Sequence, residues 1–74
     1  MRIRNGDRVV ATLDRFIAFT IASYQTKRHK IKAGHEGTVV YQLVSRGQIL
    51  YWVKWDGYAN NEPVVEGNDE VKVL

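Results

Sequence analysis

Thr38-Val39-Val40-Tyr41-Gln42-Leu43, then Ser45-Arg46-Gly47, then Ile49-Leu50-Tyr51-Trp52-Val53-Lys54-Trp55 closed by Asp56-Gly57, reads as two β-strands joined by a tight turn. β-Branched and aromatic residues dominate both runs, as they do in strands. Gly47 can adopt the positive φ that a short hairpin loop requires, and Asp56-Gly57 is a strong stop for the second strand. Period-two alternation puts Ile49, Tyr51, Val53 and Trp55 on one face, and Leu50, Trp52 and Lys54 on the other. On this reading Tyr41, Tyr51 and Trp55 line the core. Leu50 and Trp52 then either form an exposed interface or lie beneath residues 14–24 folding back over them.

Outward from this hairpin, further strands follow. Asn5-Gly6-Asp7 is turn chemistry and leads into Arg8-Val9-Val10-Ala11-Thr12-Leu13, an alternating run predicted as strand one over residues 7–13. Gly34 and Gly37 bracket the entry to the central hairpin. Past Asn60-Asn61-Glu62-Pro63, Val64-Val65 is predicted as a short edge strand, since a preceding proline suits an edge. Glu70-Val71-Lys72-Val73-Leu74 alternates and is predicted as the closing strand. Residues 14–33 fit both a helical and an extended period. Their β-branched and aromatic content favours an extended excursion with a hairpin of its own, closing over one end of the molecule. Its tip, Gln25-Thr26-Lys27-Arg28-His29-Lys30, is expected to be an exposed, mobile loop. Five short strands in so short a chain predict an all-β fold: one domain over residues 1–74, a small barrel with few free edges.

Composition bounds the function. Seventy-four residues make one domain with a small core, and 45% hydrophobic residues are enough for a globule rather than a disordered tail. The absence of cysteine excludes disulfides, thiolate metal sites and thiol catalysis. No secretory leader or membrane helix is expected, because residues 16–26, the longest uncharged apolar stretch, fall well short of the roughly 20 residues of a span. These features predict a soluble, cytoplasmic protein. Residues 1–35 hold eight Lys and Arg against two Asp, whereas residues 36–74 hold three against six Asp and Glu, an asymmetry able to steer a partner.

Gly6-Asp7-Arg8-Val9-Val10, Glu36-Gly37-Thr38-Val39-Val40, Tyr51-Trp52-Val53-Lys54-Trp55 and Asp69-Glu70-Val71-Lys72-Val73-Leu74, in that order, resemble the strand pattern of the SH3-like small β-barrels. The spacing is similar to the PsaE-type photosystem I accessory subunit and the variable chain of ferredoxin–thioredoxin reductase. The resemblance implies a five-stranded barrel and a non-catalytic docking or accessory role; residues 14–33 lie outside it. A second, local resemblance joins Tyr51-Trp52-Val53-Lys54-Trp55-Asp56-Gly57-Tyr58 to the chromodomain. It implies that Trp55 and Tyr58 form part of an aromatic cage for methyl-lysine, which works by cation–π attraction. Asn60-Asn61-Glu62-Pro63 lacks the further tryptophan of that family.

Two patches, expected to combine into one surface, are candidates for partner binding. Lys27, Arg28, Lys30 and Lys32, with Tyr24 beside them, suit an acidic protein or the phosphates and bases of a nucleic acid; a solvated basic loop is the plainer reading. Leu50 and Trp52 suit an apolar protein contact. A protein partner guided by the basic loop is the first expectation, and nucleic acid the alternative. No membrane, small-molecule substrate, cofactor or metal is expected. His29 and His35, the latter read as a hydrogen-bonded turn residue, fall short of the three or four ligands zinc needs. Phosphate-loop and nucleophile-elbow patterns are absent. The carboxylates lie in turns and charged strands, where solvation predicts ordinary pKa values. No catalytic residue is assigned.

Overall fold

A computed structural model describes residues 3–22 and 25–74; for residues 18–22 and 25–27 it describes the backbone alone. The described chain is all β, with no helix. Seven strands run in order: β1 (Arg8–Ala11), β2 (Arg15–Ala22), β3 (Gln25–Ile31), β4 (Glu36–Ser45), β5 (Gln48–Trp55), β6 (Asn61–Val65) and β7 (Val71–Val73). Five form one antiparallel sheet in the order β6-β5-β4-β1-β7, and β2 pairs with β3 as a separate hairpin. The predicted strands one to five correspond to β1, β4, β5, β6 and β7, and the excursion is the β2–β3 hairpin. The expected ring of strands is not closed: β6 and β7, at the two ends of the order, share no ladder among the described residues.

The central hairpin turns on Arg46 and Gly47, both at positive φ (52° and 78°). Two residues in that conformation match the right-handed twist of the flanking strands, which fixes the register Ser45↔Gln48, Leu43↔Leu50 and Tyr41↔Trp52. A bulge between Val39 and Tyr41 then shifts the register, so that Val39 opposes Val53. The extra residue reverses which face each later side chain takes. Tyr41, predicted to be in the core, is therefore on the outer face, 44% exposed. Val39, one pair before the bulge, is fully buried.

The core is apolar, with no buried charged side chain among the described residues. Val9 and Ala11 come from β1, Ile17 from β2, Ile31 from β3, Val39 from β4, Tyr51, Val53 and Trp55 from β5, and Val64 from β6. Alternation along β5 thus selects its inner face as predicted. Ile17 and Ile31 bring the base of the β2–β3 hairpin onto that inner face. Arg15 fastens it there: Nη2 donates to the Pro63 carbonyl at 3.1 Å, Nη1 lies 3.5 Å from Glu70 Oε1, and the guanidinium sits 5.9 Å from the Trp55 ring centroid. Glu70 Oε2 also accepts from the Val65 amide at 3.0 Å. Side chains thereby connect the β6 edge to the segment entering β7, where no ladder does.

Candidate protein-docking face

Directly opposed residues in antiparallel strands share a face. The ladders Tyr41↔Trp52↔Pro63 and Leu43↔Leu50↔Val65 therefore set six apolar side chains across the outer face of β4, β5 and β6. The Tyr41 and Trp52 rings stack, 5.6 Å between centroids and 21° between planes. Leu50 and Trp52 are each half-buried by these neighbours, while Tyr41 and Leu43 are exposed. The base of the β2–β3 hairpin does not cover them, because Ile17 and Ile31 pack on the opposite side of β5. Sequence reading found Leu50 and Trp52 but missed Tyr41, Leu43, Pro63 and Val65. Counting back from a two-residue turn at Arg46-Gly47 would have placed Tyr41 opposite Trp52.

The basic run is a strand rather than a loop tip, since Gln25–Ile31 is β3. Arg28, Lys30 and Lys32 are exposed and two residues apart, so the period of a strand puts Arg28 and Lys30 on one side with Lys32 just beyond. Lys27 has the opposite parity and its side chain, like all of Tyr24, lies outside the described residues. Lys30 Nζ is 3.2 Å from Asp14 Oδ2. Leu50 and Trp52 therefore belong to the outer face of β5, while β3 descends from a hairpin based on the inner one.

The other aromatic residues occupy a different place. Trp55 is 0% exposed and offers no ring face to a ligand. Tyr58 is half-buried, edge-on to His29 at 5.6 Å and tilted against His35 at 6.0 Å. With Ile17, Gly57, Ala59 and Asn60, His29 and Tyr58 line a pocket of about 270 Å³. His35 is the hydrogen-bonded turn residue expected, its Nε2 2.8 Å from the Asp56 carbonyl. No group of three or more His, Cys, Asp or Glu is placed to hold a metal ion among the described residues.

Two carboxylates depart from the ordinary values expected. Arg8 grips Asp56 with two hydrogen bonds, Nη2–Oδ2 at 2.5 Å and Nη1–Oδ1 at 2.9 Å, and also reaches Thr38 and Glu36. These Arg8 hydrogen bonds hold the Asp56 carboxyl below the usual carboxylate range. Asp14 is lowered too, first by the Ala33 amide and then by Lys30. A depressed folded-state pKa stabilises the fold above the unfolded carboxylate value, and that contribution is lost as pH falls through the lower folded value. Urea midpoints are accordingly expected to hold steady down to pH about 4.5 and to decline below about pH 4. Asp56→Asn should flatten that acid limb; an unchanged limb would assign it to other groups.

Comparison with protein-family models, with curated proteins and with solved structures gives no match to this chain.

Proposed function

We propose that the chain is a non-catalytic, SH3-like small-barrel module that docks onto a protein partner through the outer face of β4–β5–β6. The sheet order β6-β5-β4-β1-β7 supports the barrel reading. Its two end strands are consecutive in sequence, with only residues 66–70 between them, which favours a sheet that curls until its ends approach. The Arg15–Glu70–Val65 contacts bridge that gap. The observation that carries the docking role is the outer apolar strip of Tyr41, Leu43, Leu50, Trp52, Pro63 and Val65, left outside the core. Aromatic anchors among aliphatic neighbours are the usual centre of a protein contact.

Trp52→Ala tests this reading. The fold should survive, losing the stacking with Tyr41 and the packing of a half-buried ring, about 1–2 kcal/mol. Affinity for a partner captured from native lysate should fall roughly thirtyfold, the ~2 kcal/mol of an aromatic hot spot, and capture should be indifferent to nuclease. A folded Trp52→Ala protein that binds as well as the wild type refutes the assignment.

Arg28, Lys30 and Lys32, aligned and exposed along β3 and just past its end, favour a second reading, nucleic-acid binding through phosphates. That reading predicts gel retention of DNA or RNA at low salt, abolished when the three are replaced together. No retention at low salt removes it.

A further inference from the structure

We propose that residues 40–45 of β4 form a self-association edge, on which the same strand of a second copy of this chain pairs antiparallel about a two-fold axis at Leu43. β1 pairs with β4 only from Glu36 to Thr38, and the last backbone contacts on that side are Val39 N to the Asp7 carbonyl and Gly6 N to the Val39 carbonyl. The bulge after Val39 then carries β4 away from β1. Beyond it, every residue from 40 to 45 is exposed, including Val44 at 67%. No strand pairs with this side of residues 40–45 among the described residues. In a hairpin with a two-residue loop the flanking residues form a hydrogen-bonded pair, and bonded pairs then alternate along the ladder. Ser45, Leu43 and Tyr41 therefore direct their backbone groups to β5. Gln42 and Val44 direct their N–H and C=O groups to the free edge.

The occupant follows from what this edge lacks. Natural edges are blunted by charge, proline or short length. β6 carries Glu62 and Pro63, and β7 is three residues long with Lys72 at its centre. Residues 37–45 contain no charged residue and no proline, so an identical strand approaches without repulsion although the chain as a whole carries net charge +3. An axis at Leu43 sets Gln42 opposite Val44 of the second copy, and Val44 opposite its Gln42. All the outward backbone groups of both residues are then used, and the two Leu43 side chains meet on the outer face. The two apolar strips become continuous across the seam, giving the assembly a double docking face.

The test uses the full chain. Light scattering over a dilution series should show a monomer–dimer equilibrium. Leu43→Lys, at a position exposed enough to keep the fold by circular dichroism, should weaken it at least roughly tenfold by opposing two ammonium groups. Because the chain has no cysteine, Leu43→Cys introduces a single thiol at the axis and should give a disulfide dimer on mild oxidation. Val44→Cys should not, since its two copies lie two positions out of register, about 7–8 Å apart. A wild type that is monomeric throughout overturns the proposal. So does a dimer that persists in Leu43→Lys, or one that cross-links through position 44 rather than 43.

Discussion

Replacing Trp55 by alanine is expected to remove a large share of the stability of the fold. Trp55 is fully buried, and its ring is shared by several elements: His35 stands edge-on at 6.2 Å, the Arg15 guanidinium lies 5.9 Å from its centroid, and Gly37 is its ladder partner. Truncating a buried tryptophan costs about 3–5 kcal/mol. A chain of this length has roughly 4–11 kcal/mol of total stability, at about 0.05–0.15 kcal/mol per residue. The substitution should lower Tm by roughly 12–40 °C, on the order of 4–8 °C for each kcal/mol lost. Trp55→Phe should be far milder. The indole N–H is buried without an acceptor among the described residues, so removing it relieves a desolvation cost while most of the ring is kept. Calorimetry on the two variants checks the order. A Trp55→Ala protein that melts with the wild type would show that the ring is not the centre of the core.

β5 shows how much of this was legible in the sequence. Tyr51, Val53 and Trp55 alternate with Leu50, Trp52 and Lys54, and burial follows that alternation residue by residue. A long strand buried on one face leaves period two in the sequence because each neighbour must point the other way. Position 41 was not legible from alternation, only from counting back along the hairpin from a two-residue turn. Val39, Val40 and Tyr41 are all strand formers, and the bulge among them depends on the register against β5, which alternation within β4 does not encode. The β2–β3 hairpin was visible as an extended excursion with a hairpin of its own, but not which of its side chains turn inward. Its side chains Ile17 and Ile31 enter the core while their neighbours Phe16 and Lys30 stay outside, but the mixed period of residues 14–33 hid that choice. Arg15 is the clearest omission. A single arginine beside an apolar run carries no local sign that its partners will be Pro63, Glu70 and Trp55, all at least forty residues away.

The division of β5 into two faces has a consequence for evolvability. The inner face is committed to the core, where one methylene alters packing. On the outer face Leu50 and Trp52 are opposed by Tyr41, Leu43, Pro63 and Val65, so residues 50 and 52 can change with less cost to the fold than those of the inner face. Substitutions at 50 and 52 should accordingly separate binding from stability, whereas those at 51, 53 and 55 should not.

Gly37→Ala is expected to be the most damaging single-methyl insertion in the chain. A Cβ at position 37 would lie 2.8 Å from Val53 Cγ1, 2.9 Å from the Lys54 carbonyl oxygen and 2.9 Å from Trp55 Cε3. Glycine is present because β4 crosses directly under the Trp55 ring and leaves no room for a side chain; its φ is ordinary. Overpacking of this kind costs about 1–3 kcal/mol, and the upper end applies because the carbonyl belongs to the β5 backbone and cannot rotate away. Gly47→Ala gives the contrast. At φ 78° with nothing within 4 Å of the added methyl, it should cost only the ~1–2 kcal/mol of a left-handed alanine, which asparagine would largely avoid. Val53→Ala in the Gly37→Ala background separates the two contacts: it removes the nearest clash but leaves the carbonyl, so rescue should be partial and the double-mutant cycle non-additive. Urea denaturation of the four proteins measures this. Strict additivity, or a Gly37→Ala protein as stable as the wild type, would mean that β4 and β5 can separate at this crossing and that the Gly37–Trp55 contact does not hold the two strands together.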